Sequence, residues 1–486
     1  MSLSDTISRR SLLKASAGAA LPLLAGCSAA TGWRGLSADP ARDAQWLWNR
    51  QLWMNDLGPR MTGNPAHMEF VRFIADELEA MGLPVQEDIQ RFPRWHADRS
   101  AIAPADDRSD PIEVASEYPY SASTGPDGIV APLMYGGTVG DDLPDADLQG
   151  SILYLDAPVP PLRFGQYYTD VKPYGALQEF PEEVTQASGQ IVYAPGLEEY
   201  ARRGAKAVIF GWTNVSEEQA RGQYIPFNRP PQPIPGLWVG PGAASRLRGL
   251  ANSRGNIRLT LDATLSPDAL SRTVYALVPG ASDRIVIVTT HTDGPNAIEE
   301  NGPLPMLAMA RDLLSRPPAP GQPAVLFLFA SGHFVGPAAD ATDRFLELHP
   351  DLRDRTVAGL AVEHLGGMEW QDDGAGRYAS TGKAEMSLLF TEGEHMADIA
   401  FGAAQASDDL RGAVVRAHDL GYFFGEGRAL ARAGIPTIGF LPAPSYLLAT
   451  GPRGHIEKLD RRLFDAQVAL CRDLLHRLVL HASARA

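Results

Sequence analysis

The rhythm of apolar and polar positions changes along the chain. Residues 45 to 83 carry apolar positions at helical spacing on either side of the turn-rich stretch Leu57-Gly58-Pro59-Arg60-Met61-Thr62-Gly63-Asn64, which predicts two amphipathic helices, the second over 65 to 81. From about 104 to 240 glycine and proline thicken, and short apolar runs such as Ile152-Leu153-Tyr154-Leu155 are separated by turn signals, so this stretch reads as mainly β structure. Within it, residues 200 to 210 read as a helix end entering a buried strand, and 234 to 239 as another strand. From about 273 onward strand runs alternate with helix-period segments, the mark of βαβ units. The expected fold class is α/β, a mostly parallel central sheet flanked by helices, with an inserted β-rich module. The expected boundaries are 44–114 for the first part of the main domain, 115–265 for the insert and 266–486 for the rest.

The first residues bear on the compartment. Two arginines in Ser8-Arg9-Arg10-Ser11-Leu12-Leu13-Lys14 precede an apolar run from 15 to 25, the pattern of a twin-arginine export signal. That run is far shorter than the roughly 20 residues that span a bilayer. Leu24-Ala25-Gly26-Cys27 follows it and resembles a lipobox. The expectation is a cleaved signal over 1–27, a lipid on Cys27, a tether over 28–43, and a chain held by that lipid on the periplasmic side, with Ser28 suiting the outer membrane. The other cysteine, Cys471, lies in an apolar helical pattern, so no intramolecular disulfide is expected.

With 486 residues, 44% of them hydrophobic, the chain is long enough for two or three domains around a large core. Its net charge of -15 and the lack of a basic, aromatic-interleaved stripe exclude nucleic acid as a partner.

In open α/β sheets ligands bind beyond the carboxyl ends of the strands. Three such ends here share a polar character. The run 284 to 290 leads into His291-Thr292-Asp293-Gly294, then Glu299-Glu300-Asn301 ahead of a helix over 304 to 314. The run 324 to 330 leads into Ser331-Gly332-His333, and 357 to 362 into Glu363-His364. Imidazoles and carboxylates mixed in this way suit zinc, with water as a further ligand in a catalytic site. Taken singly, a histidine after a strand is more often a hydrogen-bonded structural group. Asp293 caps a turn or orients the His291 ring; Glu299 and Glu300 favour a helix N-terminus or a cation.

The order of these segments resembles the clan MH zinc aminopeptidases, which include bacterial double-zinc aminopeptidases, glutamate carboxypeptidase and the transferrin receptor ectodomain. The likeness covers most of the mature chain, from the stretch Leu57 to Gly63 through His291-Thr292-Asp293 to Ala433-Gly434-Ile435-Pro436. The insert resembles a protease-associated domain at Gly150-Ser151-Ile152-Leu153-Tyr154-Leu155-Asp156 and again at residues 202 to 210.

The resemblance implies His291 as the first metal ligand with Asp293 as its companion. Glu300 stands where a bridging aspartate belongs, Glu363 where the next aspartate ligand belongs, and Glu426 where an aspartate follows a serine. The family's Glu-Glu pair is replaced by His333-Phe334, and its late histidine falls near Thr450, with His455 a few residues on. The implied set is one or two zinc ions held by His291, Glu300, His333, Glu363 and His455, with His364 as a further candidate. His333, Glu299 and Glu426 are the alternatives for the general base.

The resemblance thus implies a metal-dependent hydrolase that cleaves a peptide or related amide. The alternative is a non-catalytic, receptor-like protein on the same scaffold, favoured by loss of the Glu-Glu pair. A serine hydrolase using Ser331 has little support, since no Gly-x-Ser-x-Gly is present. His67, His349, His395, His418 and His476 read as structural or surface groups, His418 with a conceivable role near the substrate. Trp370 either lines the pocket or packs in the core.

Overall fold

Both N-terminal helices form, at Pro40–Asp56 and Pro65–Ala80. The second starts where Asn64 caps it by accepting from the His67 N–H, with Pro65 filling a position that needs no donor. The computed structural model describes residues 40–106, 110–143, 148–335, 341–373 and 376–484, with side chains from 43 onward. The expected export signal and Cys27 lie outside these residues. Among the described residues no helix is long and apolar enough to cross a membrane.

Among the described residues, a 14-stranded sheet organises the fold. Its centre is parallel, in the order Ala324–Ala330, Ile285–His291, Thr356–Val362 and Thr437–Pro442. The first two of these strands are buried at every residue, the pattern of a sheet covered on both faces. Ile285, Ile287, Leu326 and Leu328 pack with Phe345 and Leu430 of the helices Ala341–Leu348 and Gly427–Arg432. The helices Pro303–Leu314 and Arg461–Ala484 pack on the central strands as well, and the latter buries Cys471 as a free thiol.

The long strand Asn256–Val278 joins this centre to the stretch assigned to the insert. It pairs antiparallel with Ala324–Ala330, with Val85–Pro104 and with Ile129–Thr138. Beyond it the order runs Ile129–Thr138, Ile152–Ala157, Ala207–Trp212 and Gly236–Val239, all parallel, with Pro241–Asn252 packed against them. Position 265 therefore falls inside one continuous strand. The insert also reaches the opposite edge of the sheet, where Tyr168–Gly175 pairs with Arg411–Ala417.

Candidate metal centre

Each central strand delivers polar side chains where its apolar run stops. His291 is the last residue of Ile285–His291, Glu363 and His364 follow Thr356–Val362, and His333 follows Ala324–Ala330. Glu426 precedes the helix Gly427–Arg432, and Pro442 ends the fourth strand. His364 has a φ of 62°, a left-handed conformation that costs a non-glycine residue about 1 kcal/mol or more and persists only where its surroundings impose it.

Two imidazoles are fixed in the same way. The His291 Nδ1 lies 2.8 Å from the Asp293 carbonyl, and the His364 Nδ1 lies 2.7 Å from the Pro442 carbonyl. Since a carbonyl only accepts, each Nδ1 carries the proton and each Nε2 is left to face inward. Both Nε2 atoms are buried without a hydrogen-bond partner, as is Glu299 Oε2. His364 Nε2 stands 2.8 Å from Glu299 Oε2 and 3.2 Å from Glu300 Oε2. His291 Nε2 stands 3.6 Å from Glu299 Oε1 and 3.9 Å from both Glu300 Oε2 and Glu363 Oε2.

These spacings match a shared ion. Donors about 2.0 to 2.2 Å from zinc in a tetrahedron stand roughly 3.4 Å apart. Ligand atoms of His291, Glu300, Glu363 and His364 all lie within 4.8 Å of one another, and the same holds for His291, Glu299 and His333. Carboxylates so enclosed repel one another unless a cation or protons compensate them. Burial pushes Glu300 up to about 8 against the pull of His364 and His291, and raises Glu363 in the same way. Burial disfavours a charged His364, yet Glu299 and Glu300 outweigh it and raise the ring to about 9. His291 is raised well above the usual histidine range because Asp293 and the glutamates outweigh its burial. The donor set fits zinc, with His291, Glu300, Glu363 and His364 as the residues that would hold it.

This set departs from the expected one at two places. His364, a further candidate by sequence, joins the first group, because the left-handed turn after Val362 points its ring at the cluster, while His333 stands in the second group with His291 and Glu299. His455 joins neither group among the described residues. It sits with φ 60° beside Tyr446, ring centroids 5.9 Å apart, and burial lowers its pKa to about 4. Asp293 orients His291 through its carbonyl, while its carboxylate oxygen stays 3.6 Å away, too far for a hydrogen bond. That carboxylate instead accepts from Thr62 Oγ1 and from the Phe334 N–H at 3.2 Å.

His333 occupies a second position. Its ring stacks on His291 with centroids 4.1 Å apart, and its Nδ1 lies 3.3 Å from Glu426 Oε1. Glu426 also accepts from Thr342 Oγ1, and its N–H donates to Glu363 Oε1 at 2.9 Å. Gly425 permits this approach: it has φ 78°, and a Cβ there would collide with the Glu363 carboxylate. Glu426 is thereby held as the partner of His333, below its usual pKa because His333 outweighs its burial.

Arg60 has a place that the motif reading left without a role. Fully buried, it donates to the Asn296 and Glu299 carbonyls at 2.9 Å each, and its backbone pairs with Gly294. Burial lowers its pKa to about 10, so it stays a cation at neutral pH. The signal available was an arginine within a glycine-proline turn. Asn296 adds three bonds to the carbonyls of Tyr446, Leu447 and Ala449. His67 is structural, as expected: it takes the Gly63 N–H on Nδ1 and meets Thr292 Oγ1 at 2.8 Å through Nε2. Ser331 is hydrogen-bonded to Ser271 rather than to a histidine.

A scan against protein-family models finds no match, and neither does a search of curated proteins. Solved structures do resemble the fold. BSAP, a zinc aminopeptidase from Bacillus subtilis, is similar over 92% of this chain and 96% of its own, with 17% identity and a TM-score of 0.61. A peptidase M28 precursor from Shewanella amazonensis SB2B gives 91% and 96%, 16% identity and a TM-score of 0.63. An aminopeptidase from Aneurinibacillus sp. strain AM-1 gives 89% and 93%, 16% identity and 0.58. At these identities the likeness establishes the fold.

Proposed function

We propose that this chain is a zinc-dependent hydrolase of peptide or related amide bonds, similar in activity to the aminopeptidases that share its fold. The observation that carries this reading is the pair of inward, unpartnered Nε2 atoms of His291 and His364 facing Glu300 and Glu363. When bound there, zinc would supply Lewis acidity toward a carbonyl and toward water.

The chain's own residues complete the chemistry. Glu299 keeps one oxygen without a hydrogen bond beside the cluster, placed to accept a proton from water. Glu426 orients His333 through Nδ1, and a ring nitrogen of His333 lies with the ligand atoms of His291 and Glu299 beside the cluster. The acidic cluster also gives a substrate ammonium group a favourable field, which supports an exopeptidase acting at a free N-terminus. We further propose export by the twin-arginine route, lipid anchoring through Cys27, and a protease-associated character for the inserted stretch, on the motifs given above.

The test is metal analysis of the purified chain together with hydrolysis of a panel of aminoacyl amides. About one or two zinc ions per chain and cleavage that a chelator abolishes are expected. A chain that binds zinc but cleaves nothing is a binding protein on this scaffold, and one that takes up no zinc ends the proposal.

A further inference from the structure

Two loops that carry candidate ligands are joined by one side chain. Glu300 stands between Ile285–His291 and Pro303–Leu314, and His364 stands in the turn after Thr356–Val362. Their relative positions therefore depend on contacts between segments far apart in the chain, and Asn301 makes such a contact. Fully buried, it accepts from the Leu365 N–H at 2.8 Å through Oδ1 and donates from Nδ2 to the Leu365 carbonyl at 2.8 Å. The two partners are the residues directly after the two ligands: Asn301 follows Glu300, and Leu365 follows His364.

The orientation of this amide is fixed from behind. Gln51, on the helix Pro40–Asp56, donates from Nε2 to the Ala297 carbonyl at 2.6 Å, which leaves its Oε1 to accept from Asn301 Nδ2 at 3.0 Å. The turn that Asn301 holds is a strained one, since His364 has a φ of 62°. Around it the His364 N–H meets Glu300 Oε2 at 3.2 Å, Asn301 takes both backbone groups of Leu365, and the Gly366 N–H donates to Gln467 Oε1 at 2.6 Å. Removing the Asn301 amide takes these partners from the buried Leu365 peptide groups and releases a constraint on His364.

We propose that Asn301 is a positioning residue: it sets His364 against Glu300 before the ion arrives, so that both reach zinc without rearrangement. It acts through these two side chains and touches neither ion nor substrate. Ligands arranged in advance bind more tightly, because less order has to be created on binding. This inference rests on the reading of the cluster as a zinc centre.

The test measures zinc dissociation constants, by competition with a chelator, for the full chain as wild type, Asn301→Ala, His364→Ala and the double variant. Asn301→Ala is expected to weaken zinc binding about tenfold where His364 is present and less than about twofold where it is replaced, since the amide then has no imidazole to place. Asn301→Leu, which fills the space without the hydrogen bonds, should weaken binding as Asn301→Ala does. Equal weakening with and without His364 would make Asn301 a general support of the loop and overturn the proposal. A wild-type constant in either folded variant at position 301 overturns it too. A wild-type chain that takes up no zinc overturns the zinc reading itself, and the role of Asn301 with it.

Discussion

His364 Nε2 lies 2.8 Å from Glu299 Oε2, yet neither atom has an aligned hydrogen bond. The far side of the ring is committed to the Pro442 carbonyl, so this nitrogen and this oxygen are turned toward a common point. With the site empty the charge on the protonated ring offsets that of the carboxylate, and a cation bound by His364 Nε2 would take the place of this proton.

His364→Ala should therefore lose most of its zinc while keeping its fold. His455→Ala, outside the cluster, should retain about as much zinc as wild type. Metal content after dialysis separates the two, and equal losses would contradict the ligand set.

Zinc binding should release protons. With the site empty, Glu300 at about 8 and His364 at about 9 both hold protons at pH 7, and ligands must shed them to coordinate. Affinity should thus rise as pH goes from 6 to 9. Calorimetry in two buffers of different ionisation enthalpy counts the protons; a count near zero at pH 7 would be decisive against this.

Arg60→Met removes a buried cation that serves two carbonyls and lies near Asp293, Glu299 and Glu300. Leaving those groups uncompensated should lower stability by about 3 to 5 kcal/mol. Denaturant unfolding checks this. A loss below about 1 kcal/mol would mean that the loop over 296 to 300 does not depend on Arg60.

Glu426→Gln keeps the shape of the side chain that orients His333 but removes its charge. Its expected effect is a fall in kcat of about 10- to 100-fold at unchanged zinc content. A fall in zinc content of the same size would instead make Glu426 part of the metal's own support through Glu363.

Glu385 gives a pH effect away from the centre. Burial, with Glu369 adding and Arg411 opposing, raises its pKa from 4.5 to about 8. The folded chain therefore favours the protonated acid, and the stability this contributes is complete below about 4.5 and lost as pH climbs to 8. Glu385→Gln should flatten that part of the urea-midpoint profile between pH 5 and 8. An unchanged slope would assign the pH dependence elsewhere.

The sequence by itself determined the central strands, the helices and the strand-end positions of His291, His333 and Glu363-His364. These follow from local causes: buried strands need unbroken apolar runs, and polar residues cluster where those runs stop. Tertiary structure decided which of these side chains share a point. His364 enters the cluster through a left-handed turn and the Pro442 carbonyl, and His333 is oriented by Glu426, itself held by Thr342, from elements that pack beside it. Arg60 reaches the centre from far away in the chain, and the strand Asn256–Val278 runs through an expected domain boundary. Spacing along the chain records the periodicity of each element, but a contact between elements depends on packing and charge compensation, which no local pattern encodes.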